Sequence, residues 1–572
     1  MNRDALPPTE PDGSDPDRSH APLMTRRVAI ATGAAVLAGG AALGARWCGS
    51  AGAPVAAGRV RGRGARNVTL TAAPAEVELG PGRRVTAWAY DGRLPGPEIR
   101  VREGERLRVT LRNGLPIGSS IHWHGLPQRG TNAMDGVPGV TQAPVPPGGA
   151  FVYDFVAEPA GTFFFHSHFG LQLEHGLYAP LIIEAAREPL AYDREYVLVL
   201  DDWPARAPEQ MLADLQAGRG PMNMRGMTAM TTPMAGMATG EASASHNGAA
   251  ATDVPTPDRG PSMPVPDLAP SGPPAPGEAA PMVTDVPAAA ATAGPREEEG
   301  ADIDYQTFLI NGRAPEAPVA FDVRRGERVR LRLINAGAST GFRVAVAGHR
   351  LRVTHADGQP VRPVDVNALE LGVGERYDVL VSADHPGVWP VVAASVDEPA
   401  RSARALLRYT DARGTAAPAP GAPLPRELQG RLLRYADLVA PDDGPLGPAP
   451  WRARPDRVID VPLRGQMAPY LWAIGDEPTP APPFTVAEGE TVLVRMRNQT
   501  LMRHPMHLHG HAIRLRTGEG GRAVWKDTAT VNPGGVVELQ FAADNPGRWL
   551  FHCHHAYHQE AGMMRVVEYV RR

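Results

Sequence analysis

The chain is poor in cysteine: 572 residues include two, Cys48 and Cys553, so no disulfide framework is available to hold the fold. Lysine is almost missing as well, Lys526 being the single one among 58 basic residues. The formal net charge is −4 with no basic stripe, which leaves no footprint for a nucleic-acid partner. Aromatics are few, and no long amphipathic period recurs, so nothing predicts a helical bundle. Beyond residue 53 no apolar run is long enough to span a bilayer, so no integral membrane segment is expected in the mature part.

What the chain has is glycine, proline and short alternating runs. RLRVTLRN, RVRLRLIN and TVLVRMRN alternate in period two between Gly/Pro-rich turns, which predicts a mostly β protein. They belong to a block that occurs three times, Gly104 to Asn113, Gly326 to Asn335 and Gly489 to Asn498, nine residues from Gly to Asn in each copy. Three tandem copies of one β unit follow, since 572 residues exceed a single core.

Histidines sit at matching offsets from these blocks. Nine and eleven residues past Asn113 are His122 and His124, and the same steps past Asn498 give His507 and His509. Five and seven residues past Gly161 are His166 and His168, and past Gly547 are His552 and His554. The middle copy holds Val344, Val346, Val392 and Ala394 there. Residues two apart on a strand share a face, so eight imidazoles are predicted at an interface between the first and third units.

The third unit carries more. In HCHHAYHQEAGMM a thiolate, Cys553, is followed by His558 and Met563, and His504 lies upstream in RHPMHLHGH. Two imidazoles, a thiolate and a weak axial thioether suit copper; a structural zinc site closes with four ligands and has no use for the methionine. The first unit has Ser119, Ser167, Gln172 and Leu177 at the equivalent positions and is predicted to hold no such copper.

HWHG, HSH, HPMHLHGH and HCHHAYHQEAGM, in that order over residues 66–572 and joined by YDGRLPGP and WKDT, resemble the copper motifs of multicopper oxidases, the laccase and cuprous oxidase family. The resemblance implies three cupredoxin-like, Greek-key domains and four copper ions. His504, Cys553, His558 and Met563 would hold a type 1 copper, and His122 and His507 a type 2 copper. His124, His166, His168, His509, His552 and His554 would hold a type 3 pair. It implies electron transfer from Cys553 through His552 and His554, with dioxygen as acceptor. Asp135 matches an acid that assists proton delivery. The position directly after the type 1 histidine, acidic in some cuprous oxidases, is Gln559, and Glu560 stands where many laccases have their acid.

Expected boundaries are a leader over 1–65, units over 66–188, 189–415 and 430–572, and a Pro/Ala/Gly/Ser-rich insertion over 205–302 without a packed core. Within the leader, Thr25-Arg26-Arg27-Val28-Ala29-Ile30 and the Ala/Gly-rich run after it, about 24–53, resemble a twin-arginine export signal, which places the mature protein outside the cytoplasm. Met24 is an alternative start, and Cys48 lacks the small residues of a lipobox before it. A monomer is expected, because the cluster interface is internal to one chain.

Nine of 18 methionines fall in the insertion. Met222, Met224, Met227, Met230, Met234 and Met237 resemble the methionine-rich segments of copper-tolerance oxidases, and soft thioethers select Cu(I). Met502 matches a methionine of that subgroup's substrate site, although Thr500 replaces its acid. Cu(I) is therefore the expected reductant, with a laccase acting on phenols or aromatic amines as the alternative. An exported copper-buffering protein is the reading of another class. His175, His349, His355 and His385 miss the ligand offsets and are expected in surface or core roles. His511 and His555 are expected behind the ligands or in solvent, and Met564 in the core.

Overall fold

A computed structural model of the chain describes residues 65–219 and 302–571, apart from 413–414, 443, 448, 478–479 and 519–520. The segment expected to act as an export signal, Cys48 and the methionines from Met222 to Met237 lie outside the described residues. Three pairs of sheets follow one another: two four-stranded sheets within 65–184, then a six- and a five-stranded sheet within 194–409, and again six and five within 457–570. The chain is all-β. Pro208–Gln216 and the five-residue Ala556–Glu560 are the α-helices among the described residues.

Each pair is built on the same parallel contact. Ala65–Gly80 runs beside Arg106–Asn113, Arg194–Pro204 beside Arg328–Asn335, and Arg457–Met467 beside Thr491–Asn498. Parallel neighbours cannot be joined by a tight hairpin, so the chain crosses to the facing sheet between them.

The structure gives the repeated block a physical meaning. Gly104, Gly326 and Gly489 open it at φ values of 80°, 87° and 87°, a left-handed turn that a Cβ would strain. Asn113, Asn335 and Asn498 close it, all buried. Each donates its amide to two backbone carbonyls, those of Ile117 and Val145, Thr340 and Leu371, and Met502 and Val531. Each carbonyl oxygen takes the N–H of a residue two positions on. A buried amide satisfied on both sides pins the loop after the strand to the facing sheet, and that loop leads to the histidines.

Two expectations change in the middle pair. Arg330 and Arg332 fall inside a run that reads as half exposed, yet are 2 % and 3 % exposed. They are ion-paired with Asp378, with Glu188 for Arg330 and Glu195 for Arg332. Flanked on both sides, the middle unit has no solvent face here, and its alternation encodes buried charge pairs. The equivalence by offset also slips. His122 pairs across strands with His166, and His507 with His552, but Val344 pairs with Ala393 and Val392 with Ala345. A one-residue slip turns side chains to opposite faces: Val344 and Val346 join the main core, whereas Val392 and Ala394 pack with Ala345 and Leu428.

Both ends of the span 205–302 are packed, contrary to the expectation that it lacks a packed core throughout. Pro208–Gln216 buries Met211 and Leu215 in the main core, and at the other end Asp302 and Ile303 are buried at 3 %. A proline at the first helical position and apolar residues four apart account for the helix. Met211 is thus a packing residue; the methionines from Met222 to Met282 lie outside the described residues.

Candidate metal centres

The two cross-strand histidine pairs face each other. Rings of His122 and His509 stack with centroids 3.8 Å apart, and those of His124 and His507 at 3.9 Å. Three triads result, each with its ligand atoms within 4.8 Å of one another: His122, His124 and His507; His124, His166 and His554; His168, His509 and His552. Every triad draws on both the first and third sheet pairs. All eight residues expected from the offsets are here, and all are buried.

Their hydrogen bonds decide which nitrogen faces inward. Backbone carbonyls accept only, so His122, His166, His507 and His552 donate Nδ1–H to the carbonyls of Asp135, Ser167, Asp527 and Cys553 at 2.9, 3.0, 2.9 and 3.0 Å. Nε2 of each is then a free lone pair, and in His122, His166 and His507 it is buried and makes no hydrogen bond. Burial first, and neighbouring imidazoles second, push His124, His168, His509 and His554 far below the usual histidine range; His166, His507 and His552 follow mainly through burial. Neutral, tautomer-fixed imidazoles with converging lone pairs are a metal ligand set.

Two acids brace the rings. Asp135, fully buried, places Oδ2 2.9 Å from His509 Nδ1 and Oδ1 3.3 Å from His122 Nδ1. Asp527, the acid of WKDT, places Oδ1 3.2 Å from His124 Nε2, so His124 turns Nδ1 inward, 3.1 Å from His554 Nε2. Glu560 does not join them: it sits half-buried at the end of Ala556–Glu560 and takes the Gln559 amide at 3.2 Å.

The second centre lies on the other side of the HCH tripeptide. Cys553 Sγ is 3.7 Å from His504 Nδ1 and 3.8 Å from His558 Nδ1. Met563 is fully buried and its carbonyl takes the Cys553 N–H at 3.0 Å. Burial pushes the Cys553 thiol up, so without a metal it stays protonated, and burial lowers His558 to about 3. Trp472 stacks on His558 at 3.8 Å and His555 at 3.7 Å on its other face. Thr500 Oγ1 is 2.7 Å from His504 Nε2, and Asp302 Oδ2 is 3.3 Å from His558 Nε2.

Thr500, Asp302 and Trp472 were not among the sequence-derived site residues. Asp302 lies in a stretch that reads as low-complexity insertion; its only signal is that it borders the strand Tyr305–Ile310. His555 and His511 are buried, not solvent-facing. His555 meets Asp302 Oδ1 at 3.1 Å, and His511 meets Tyr569 Oη at 2.7 Å. Met564 is half-buried, at the edge of the core. In the first sheet pair the equivalent place is filled by hydrogen bonds: Ser119 and Ser167 both donate to Gln172 Oε1, at 2.8 and 2.7 Å.

Against the second centre lies a cavity of about 290 Å³. Met502, His555 and Asp302 line its inner end, and Glu370, Glu375 and Tyr435 are among its walls.

Profiles of the multicopper oxidase family match residues 71–188, 284–412 and 454–571. The chain belongs to the multicopper oxidase family. It is similar to multicopper oxidase MmcO of Mycobacterium tuberculosis, 36 % identical over 88 % of this chain and 86 % of that one. It is also similar to copper resistance protein A of Pseudomonas syringae pv. tomato, 29 % identical over 85 % and 90 %. The fold matches that of Fet3p, a multicopper oxidase that functions in iron import, with a TM-score of 0.66 and 19 % identity over 88 % of this chain and 90 % of that one. This multicopper oxidase is therefore an oxidoreductase, and its residues fit copper: the unpaired inward Nε2 atoms and the buried thiol between two imidazoles are orphaned polar groups that a soft, imidazole-binding metal satisfies.

Proposed function

We propose that this enzyme couples four one-electron oxidations of Cu(I) to the four-electron reduction of dioxygen, with four protons, to two waters. His504, Cys553, His558 and Met563 would hold the type 1 copper, and His122 and His507 the type 2 copper. His124, His166 and His554 would hold one type 3 copper, and His168, His509 and His552 the other. Bound copper supplies the one-electron redox chemistry and dioxygen binding.

The observation that carries this reading is the tripeptide His552-Cys553-His554: one cysteine serves the centre beside the cavity, and its two covalent neighbours belong to two different triads. An electron arriving at Cys553 is a few bonds from either triad. Asp135 touches rings of both sheet pairs and is the carboxylate placed to pass protons to bound oxygen. Burial of all eight triad imidazoles excludes bulk water.

Support for Cu(I) comes from soft and acidic groups together. Met502, Glu370 and Asp302 line the cavity, and six methionines lie between Met222 and Met237. Thioethers select Cu(I), and carboxylates favour any cation. The cavity volume of about 290 Å³ also suits a single aromatic ring, which keeps a phenol or aromatic amine as the second reading. Export by the twin-arginine-like segment and a monomeric state belong to the same proposal.

Steady-state dioxygen uptake with Cu(I) and with a phenol, on the full chain and on a chain lacking 220–301, tests the substrate. That deletion spares the packed Pro208–Gln216 and the buried Asp302. Cu(I) turnover should fall several-fold and phenol turnover hold; unchanged Cu(I) turnover with faster phenol oxidation would reject Cu(I) in favour of a laccase. Met563→Leu should raise the type 1 potential and keep the blue band, because a thioether donates density that stabilises Cu(II). A colourless protein, or one of unaltered potential in a redox titration, removes Met563 from the ligand set.

A further inference from the structure

The middle sheet pair supplies no imidazole to any triad, yet it is packed against them at one loop. Gly374 sits so close that a Cβ there would come within 3.0 Å of His124 Cε1 and 2.9 Å of His554 Cδ2. Two residues on, Arg376 is fully buried and donates Nη1–H and Nη2–H to Asp527 Oδ1 and Oδ2 at 2.6 and 2.7 Å. This fork is threaded past Gly125 of HWHG, where a Cβ would lie 2.5 Å from both Arg376 Nη2 and Asp527 Oδ2. The last glycine of that motif is thus the opening through which the middle pair reaches the cluster.

Asp527 is the acid whose Oδ1 faces His124 Nε2 at 3.2 Å and whose backbone carbonyl holds His507 Nδ1 at 2.9 Å. Arg376 is held in turn: Nε–H donates to the Thr162 carbonyl at 3.2 Å, and its own N–H donates to Asp357 Oδ1 at 3.0 Å. Asp357 Oδ2 accepts the N–H of Asp527 and of Thr528, both at 3.2 Å, and lies 3.0 Å from Lys526 Nζ. The chain's one lysine therefore closes a buried ionic frame, and both ends of Asp527 are fixed from the middle pair.

We propose that Arg376 is a positioning residue for the cluster: by fixing Asp527 from the middle unit, it holds in place the backbone carbonyl that orients His507 and so determines retention of the type 2 copper, while the same carboxylate sets the tautomer of His124 at the type 3 pair. The chemistry follows from acceptor geometry. A carboxylate locked by a two-pronged guanidinium can only accept from His124 Nε2–H, which leaves Nδ1 for metal; a loose carboxylate no longer selects the ring orientation. The inference rests on the proposed assignment of His122 and His507 to the type 2 copper.

The test compares copper-loaded wild type, Arg376→Met, Arg376→Lys, Asp527→Asn and the control Arg330→Met. Arg330 is an equally buried middle-unit arginine, paired with Asp378. Copper per chain, the type 2 paramagnetic resonance signal, the blue absorption and the thermal midpoint are measured for each. Arg376→Met and Asp527→Asn should lose type 2 copper to a chelator at concentrations roughly 10- to 100-fold lower than wild type, with the blue absorption retained. Arg376→Lys should recover part of the loss, and Arg330→Met should lower the thermal midpoint with an intact type 2 signal. Full type 2 occupancy in folded Asp527→Asn or Arg376→Met overturns the inference. So does parallel loss of every copper signal, or type 2 loss in Arg330→Met equal to that in Arg376→Met, since either shows general loosening. A wild type that never shows a type 2 signal fails the proposed function instead, which separates the two.

Discussion

Cys553→Ser should abolish the blue absorption and bring steady-state turnover to background, while the type 2 and type 3 coppers remain. A serine hydroxyl is not ionised near neutral pH and its oxygen is hard, so His504 and His558 keep their places but lose the soft anion between them. The backbone is indifferent to the change: the Cys553 N–H still meets the Met563 carbonyl, and the strand register Met506 to Cys553, His507 to His552 is untouched. His552 takes its inner orientation from a backbone carbonyl and not from the thiol, and His554 packs against the rings of His124 and His166. The variant reduced by a small chemical reductant should therefore still consume dioxygen once per chain. Copper analysis, the optical spectrum and oxygen uptake together decide this. A persistent blue band would remove Cys553 from the ligand set; loss of all copper would mean that the thiol is needed for assembly.

The second large effect belongs to Asp135. Asp135→Asn keeps the volume and the backbone carbonyl that holds His122 at 2.9 Å, but replaces the carboxylate 2.9 Å from His509 Nδ1 with a group that cannot carry a proton in the same way. Reoxidation of the reduced enzyme by dioxygen should slow by about 10²-fold or more, the usual contribution of a positioned acid or base. Anaerobic reduction by substrate should proceed at the wild-type rate, because the cavity end of the molecule is remote in the hydrogen-bond network. Stopped-flow traces of the two half-reactions separate these steps. Equal slowing of both would mean that Asp135 acts by bracing rings alone.

Much of this architecture was legible from spacing. Four of the eight histidines could be placed from the Gly-to-Asn block because it repeats without insertion, and the structure shows why: the terminal asparagine ties the same loop in all three copies. The cluster of His504, Cys553 and His558 was legible because soft and imidazole ligands rarely occur together by chance. What spacing could not reveal was anything held by tertiary contact. Asp302 reaches His558 from the edge of a low-complexity stretch, and Thr500 meets His504 at the place where an acid is expected. Arg376 acts from a unit that looks inert by ligand count. The middle unit's one-residue slip was equally hidden, since offset counting assumes a constant register.

The hydrogen-bonded trio Ser119, Ser167 and Gln172 settles a question of traffic. Ser167 lies between His166 and His168 just as Cys553 lies between His552 and His554, so the first unit has the same covalent wiring into the triads. Its terminal is closed: a glutamine oxygen already accepts from both hydroxyls, and its amide donates to the Gly118 carbonyl at 2.7 Å, leaving no anion and no lone pair in want of a metal. Under the proposed function, that pocket offers copper no free ligand during loading and adds no site of its own. On the same reading, electrons would then enter through Cys553 alone, on the side that carries the cavity.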